Sequence, residues 1–286
     1  KLFKGKIMIN KKMIIKRVIL VMCIGLFFTT NTTSLQAAQK SPIKVLAAGS
    51  LTGAMNAVIK KYKEKTGQKI EARYAAAGLL RESIEAGEKV DIFASANMEH
   101  PQSFANSGIA TQPIIMLRNN MCARAFPNFG LTSQNILEKM LDPKTGIGTS
   151  TPIADPGGDY TWKVFAKADT IHPGAKAILE AKAQQLVGGK NTIKVPGGKD
   201  VREYYFEQNK IHMTIGYCSG RSTKPDPKYV SIPLPPELAV DVNYGVSVFY
   251  NGNANKSEVY KFVLYLMSPE AQQIMSEYGF VPTTAL

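Results

Sequence analysis

Cysteine is scarce, with three in 286 residues. That excludes a small scaffold built from disulfides and leaves too few thiols for a zinc-type cluster. The three histidines, His100, His172 and His212, lie far apart, so no His-rich metal motif exists. Glycine and proline, at 23 and 16 residues, are too few for a collagen-like or low-complexity chain. A hydrophobic share of 44% excludes global disorder. The length suits two lobes of about 100–150 residues each. Long apolar runs are also missing, apart from one near the N-terminus.

That run, Val18 to Phe28, follows a basic stretch carrying Lys1, Lys4, Lys6, Lys11, Lys12, Lys16 and Arg17 with no acid. A polar segment then ends in Leu35-Gln36-Ala37-Ala38. Basic, apolar, then small residues is the order of a secretory signal peptide, here 1–38. The apolar run is too short for a membrane span. Cys23 does not make a lipidation site, because bulky Met22 precedes it and the apolar run continues past it. The chain opens on Lys1, so Met8 and Met13 are candidate starts. The leader holds seven of the charges behind the net +13, and the remainder is only mildly basic. Lys60, Lys61, Lys63 and Lys65 read as a solvated helix face. A nucleic-acid partner is not required. In a secreted chain Cys122 and Cys218 face oxidising conditions. Their spacing alone does not decide whether they pair.

Past the leader, strand and helix alternate. Ile43–Ala48 reads as a buried strand. Leu51, Ala54, Met55, Val58, Ile59 and Tyr62 form a helical stripe that Gly67 ends. Further strands are expected at 69–74, 90–94, 146–149, 211–217 and 240–250. Helices are expected after Gly78, over 160–167 with Asp159 as cap, over 174–186 and 199–208, and as a C-terminal pair. Ser268 caps the second of that pair. The apolar stretch 111–126 is broken by Arg118-Asn119-Asn120, as a strand crossing between lobes would be. The alternation predicts α/β lobes with mostly parallel sheets flanked by helices.

Three small-residue loops stand at expected strand-to-helix junctions: Gly49-Ser50, Ala77-Gly78 and Gly157-Gly158. Ligands of open α/β sheets bind at the carboxyl ends of strands. Free N–H groups at helix starts favour an anion. Any one such loop is also an ordinary tight turn. Tyr217, ending a strand, can reach the same cleft or sit in the core. Cys218 beside it reads as a thiol ligand or as buried filler, and Asp91 as structural. Tyr204-Tyr205 admits a ferric-iron reading through phenolates. Ser50 admits a hydrolase reading, but Ala48-Gly49-Ser50-Leu51-Thr52 lacks the elbow pattern and no histidine is placed to help. An enzyme fits poorly.

Val45-Leu-Ala-Ala-Gly-Ser-Leu-Thr-Gly-Ala-Met55 resembles the opening of periplasmic molybdate-binding proteins of ABC importers. Tyr74-Ala-Ala-Ala-Gly-Leu-Leu80, Ile84-Glu-Ala-Gly87 and Asp91-Ile-Phe-Ala-Ser-Ala96 match the next block. Asn243-Tyr-Gly-Val-Ser-Val248 resembles the returning strand. Tyr265-Leu-Met-Ser-Pro-Glu-Ala-Gln272 and Tyr278-Gly-Phe280 match the C-terminal motif. The resemblance implies a two-lobed type II binding protein with a crossing-strand hinge. Lobe I would be 39–120 with 241–286, and lobe II 121–240. It implies a dehydrated tetrahedral dianion, molybdate or tungstate, held by neutral donors from both lobes. The donors fall on Ser50, Ala77, Gly78, Gly157, Val201 and Tyr217. Ala77 stands where the family has a serine, and Cys218-Ser219 stand where a glycine is expected. No cofactor and no direct metal coordination are implied. The implied setting is a periplasmic monomer that serves an ABC permease. A sulfate-like anion or ferric iron remains the alternative ligand, and a serine hydrolase the alternative class.

Overall fold

A computed structural model describes residues 41–284. The expected signal peptide, its start methionines and Cys23 lie outside the described residues. Strand and helix alternate as the sequence predicts. The order begins β1 (Ile43–Ala48), α1 (Thr52–Thr66), β2 (Ile70–Ala75), α2 (Ala77–Glu85), β3 (Ile92–Ser95), α3 (Glu99–Asn106) and β4 (Ile114–Asn119). It continues through β5 (Met121–Ala125), α4 (Ile136–Leu141), β6 (Ile147–Ser150), α5 (Pro156–Ile171), α6 (Ala175–Lys182), β7 (Ala183–Val187), α7 (Val201–Glu207), β8 (Met213–Tyr217) and β9 (Val230–Pro233). It closes with β10 (Val242–Val248), α8 (Lys256–Leu266) and α9 (Pro269–Ser276).

The strands form two sheets, ordered β2-β1-β3-β10-β4 and β7-β6-β8-β5-β9. Within the first, β1 runs parallel to β2 and β3, whereas β10 is antiparallel to β3 and β4. Within the second, β6 is parallel to β7 and β8, and β5 antiparallel to β8 and β9. Both sheets are therefore mixed. The antiparallel members are the segments that leave or re-enter a lobe: β4 and β5 are separated only by Asn120, and β10 brings the chain back to the first sheet.

The helical stripe read from the sequence is the buried face of α1. Leu51, Met55, Val58 and Tyr62 are all inaccessible or nearly so. Tyr62 packs on Phe262 and Tyr265, each ring centroid 5.0 Å away. Each such side chain contributes about 1.5–3 kcal/mol of burial. Gly67 ends α1 in the left-handed conformation, φ +68°. Two local expectations change. The helix expected from 160 begins at Pro156, because Asp155 rather than Asp159 caps it. The helix expected over 174–186 stops at Lys182, and Ala183–Val187 becomes the edge strand β7, completing the sheet beside β6.

Candidate functional site

The ends of β1, β4 and β8 and the start of β10 meet at one place. After β1 the chain turns tightly through Gly49–Leu51 into α1 with no side-chain cap, which leaves Ser50 at an open helix start. The half-buried Ser50 hydroxyl lies 2.9 Å from the hydroxyl of Tyr244 on β10. Tyr244 itself is fully buried. A bulge aims it: Tyr244 pairs with Leu117 but Gly245 with Ile115, so Met116 is an extra residue on β4. Such a bulge turns a side chain out of its regular row.

Asn119, at the end of β4, joins the two halves of the cleft. Its Nδ2 donates to the Tyr244 hydroxyl at 3.3 Å and to Ser219 Oγ at 2.8 Å. Its Oδ1 accepts the Ser219 N–H at 3.4 Å. Ser219 follows β8, whose last residue is Tyr217. The Tyr217 ring packs 5.7 Å from that of Tyr244 and 6.2 Å from that of Tyr160. Its hydroxyl is buried, near Tyr244, and has no hydrogen-bond partner in good geometry. Burial first, then the neighbouring Tyr244, pushes its pKa well above the ordinary tyrosine value. Burial does the same to Tyr244. Both phenols therefore stay protonated, and both can donate, throughout the physiological range.

Gly157 stands on the far side of Tyr217. A Cβ there would lie 3.4 Å from the Tyr217 ring and 3.5 Å from Asp155 Oδ1. The Gly157 N–H donates to Asp155 Oδ1 at 3.0 Å, the capping bond of α5. Asp155 Oδ2 accepts from Ser150 Oγ at 2.6 Å. Burial raises the Asp155 pKa despite these two donors. Gly78, the second residue of α2, donates its N–H to Ala154 O at 3.0 Å across the cleft. Ala77 before it is buried and carries no hydroxyl. Two ion pairs also cross the cleft, Lys190 to Glu82 at 2.6 Å and Lys163 to Glu99 at 3.5 Å.

The six expected donors thus divide. Ser50 and Tyr217 are linked through Tyr244, and Gly157 borders Tyr217. Gly78 meets the loop at Ile153 and Ala154, and Ala77 is buried beside it. Val201 starts α7 and packs with Leu186, Phe206 and Ile211, an apolar cluster separate from the one that includes Tyr217. Sequence reading did not select Asn119, Ser219, Tyr244, Ser150 or Asp155. The break at Arg118-Asn119-Asn120 marked the crossing, and Tyr244 lay inside a quoted strand, but only the bulge and the neighbouring strand ends give them a role. The histidine a hydrolase would need is not the partner of Ser50, which bonds a tyrosine. Tyr204 and Tyr205 pack ring to ring on α7. Among the described residues no group of three or more His, Cys, Asp or Glu could hold a metal ion.

Cys122 on β5 and Cys218 after β8 form a disulfide, Cα–Cα 4.9 Å. The sequence had left that pairing open. The cross-strand ladder sets it up, since Cys122 is paired with Gly216.

The loop that closes on Gly78 carries a strained residue. Ile153 has φ +70° and is 76% exposed. A β-branched residue seldom adopts that region, at a cost of about 1–2 kcal/mol. Its N–H is held by Asp159 Oδ1 at 2.7 Å. Ile153→Asn is expected to stabilise the fold by about 1 kcal/mol, since Asn tolerates this conformation and little packing is lost. Urea unfolding measures this, and an unchanged or lowered midpoint would count against strain at this position.

The family model for bacterial extracellular solute-binding proteins matches residues 43–281. An uncharacterized protein of Pasteurella multocida is 34% identical over 248 residues, covering 84% of this chain and 98% of its own. The molybdate-binding protein of Escherichia coli is 27% identical over 248 residues, covering 85% and 90%. The periplasmic molybdate-binding protein of Azotobacter vinelandii shares the fold, with TM-score 0.67, 14% identity and coverage of 85% and 100%. A sulfate-binding protein of Mycobacterium tuberculosis shares it too, with TM-score 0.64, 13% identity and coverage of 85% and 87%, so the fold alone does not name a ligand. The chain belongs to the family of bacterial extracellular solute-binding proteins.

Proposed function

We propose that this protein captures a tetrahedral oxyanion, molybdate or tungstate, in the cleft between lobe I (39–120 with 241–286) and lobe II (121–240), and delivers it as a periplasmic monomer to an ABC permease. The observation that carries this reading is the partly buried cluster of uncharged hydroxyl and amide groups around Ser50, Tyr244, Asn119, Ser219 and Tyr217. A dianion stripped of water needs several hydrogen bonds, and bonds to a charged group are the strong ones. Donors that cannot lose their protons suit such an anion. Ser50 and Tyr217 are the principal donors, Ala77, Gly78 and Gly157 contribute backbone around them, and Val201 at the start of α7 lies in a separate apolar cluster. Because the N–H groups of Gly78 and Gly157 already have partners within the protein, weight shifts to the hydroxyls. The related proteins named for molybdate support the choice of ligand.

Isothermal titration calorimetry with molybdate, tungstate, sulfate, phosphate and ferric citrate tests the reading. Tight one-to-one binding of molybdate and tungstate, with the others weak, is expected. Silence toward both would overturn it. Ser50→Ala and Tyr217→Phe should each weaken binding by about 1–3 kcal/mol. Unchanged affinity in both variants would sink the site.

A further inference from the structure

The hydrogens of the cleft can be counted against its acceptors. Asn119 Nδ2 has two, and both are used, one on Ser219 Oγ and one on the Tyr244 hydroxyl. Ser50 and Tyr244 share one hydrogen bond, so one of their two hydroxyl hydrogens is used and the other is left over. Ser219 Oγ enters its bond to Asn119 only as an acceptor, because an amide N–H₂ cannot accept. Its own hydrogen therefore points elsewhere. The Tyr217 hydroxyl lies near the Tyr244 hydroxyl but has no hydrogen-bond partner in good geometry. Two hydroxyl hydrogens are thus surplus, one from the Ser50–Tyr244 pair and one from Ser219, and the Tyr217 hydrogen has at most a poorly aligned contact with Tyr244. The nearest carboxylate of the second lobe offers little relief. Asp155 already receives Ser150 Oγ on one oxygen and the Gly157 N–H on the other.

A surplus of donors in a partly buried cluster is costly wherever water is excluded and no acceptor meets it. The ligand that relieves it accepts hydrogen bonds and donates none, which is the chemistry of a fully deprotonated oxyanion. We infer that Ser219 is a ligand-binding residue of this protein: its hydroxyl, oriented by Asn119, is a third side-chain donor to the oxyanion and takes over from the hydroxyl that Ala77 lacks. Asn119 and Tyr244 are positioning residues. Asn119 fixes Ser219 from behind: its Nδ2 donates to the Ser219 oxygen, and its Oδ1 accepts the Ser219 backbone N–H. Tyr244 fixes Ser50. This inference rests on the oxyanion reading of the cleft.

The test is calorimetry of the purified protein with molybdate and with tungstate, for the unsubstituted chain, Ser219→Ala, Ser219→Gly, and Ser219→Ala combined with Ala77→Ser. Ser219→Ala and Ser219→Gly should each weaken binding about tenfold or more, as loss of a hydrogen bond to a charged group does. The thermal midpoint without ligand should move little, which separates a binding role from a folding one. Restoring a hydroxyl through Ala77→Ser should recover much of the affinity lost in Ser219→Ala. Equal affinity in the two Ser219 variants and the unsubstituted protein would overturn this inference and leave the oxyanion reading standing. A loss matched by a large fall in the midpoint of both unliganded variants would overturn it as well, making Ser219 structural. If the unsubstituted protein binds neither anion, the oxyanion reading falls and takes the inference with it.

Discussion

Gly78→Ala is expected to keep the two lobes from closing and to weaken oxyanion capture at least about tenfold, while the unliganded fold loses little stability. A methyl at position 78 would sit 2.4 Å from Ile153 O and 2.6 Å from Ala154 O. Both obstacles are backbone, so no side-chain rotation clears them. The loop must retreat, and the Gly78 N–H bond to Ala154 O at 3.0 Å goes with it. Overpacking of this kind costs about 1–3 kcal/mol. Under the proposed closure of the two lobes the cost falls on the closed arrangement, because 153 and 154 follow β6 of the second sheet. The two ion pairs across the cleft are largely exposed, with side chains 43–69% accessible, and contribute about 0–1 kcal/mol each. They cannot offset the clash. A penalty on the binding-competent state lowers apparent affinity by the same factor. Alanine keeps the backbone N–H, so the loss cannot be assigned to a missing donor. Small-angle scattering should find a larger radius of gyration for the variant at saturating molybdate than for the unsubstituted protein. Calorimetry should find the weaker binding. Matching radii together with matching affinities would show that Gly78 does not gate closure.

Much of this architecture follows from local sequence signals. The stripe from Leu51 to Tyr62 is enough to make α1 and to bury the right face. Gly67 needs its left-handed turn, and Ser268 accepts the Ala271 N–H as the cap of α9. The loops at Gly49-Ser50 and Ala77-Gly78 stand at strand ends because small residues and helix starts leave local marks. What escaped is non-local. β7 carries no alternation strong enough to announce a strand, and it is one only because β6 offers an edge. Asp155 outcompetes Asp159 as cap of α5 because Pro156 suits a first helical position, while Asp159 is drawn to the Ile153 N–H. The same holds in the cleft. Ser50 and Tyr217 could be picked from strand ends, yet Asn119 and Ser219 are 100 residues apart and Ser50 and Tyr244 are 194 apart. No spacing rule reaches that far. Their meeting depends on β10 returning to the first sheet and on the bulge opposite Tyr244. Donor saturation at Gly78 is likewise visible only once both sheets are in place, whereas that at Gly157 is a local capping bond.

Removal of the Cys122–Cys218 disulfide should be the largest single loss of stability, about 2–5 kcal/mol. The bridge spans 96 residues of sequence and closes a loop that holds most of the second sheet. In the chain-entropy account a loop of about 100 residues is worth about 4.7 kcal/mol, because an open chain has far more conformations to lose. Set against a typical net stability of about 5–15 kcal/mol, that is a substantial fraction. At about 2–4 °C per kcal/mol for a chain of this size, the midpoint should fall by roughly 4–20 °C. The double variant Cys122→Ala with Cys218→Ala is the cleaner test, since it leaves no free thiol to mispair. Reduction of the unsubstituted protein should give the same shift. Ligand binding should suffer less than stability. Tyr217 remains paired with Met121 in the β5–β8 ladder, and the Cys218 N–H still donates to Asn120 O at 2.8 Å. The strand that presents Tyr217 is therefore held twice, by the ladder and by the bridge. Ser219, one residue past Cys218, depends more on the bridge and on Asn119. Urea unfolding monitored alongside calorimetry with molybdate separates the two effects. A lowered unfolding midpoint with affinity changed only a few-fold is the expected pair of results. A midpoint unmoved by reduction and by the double variant would mean that the ladder alone fixes this sheet and the bridge adds nothing. Affinity abolished in a variant that still unfolds cooperatively would mean instead that the bridge, not the ladder, aims Tyr217 into the cleft.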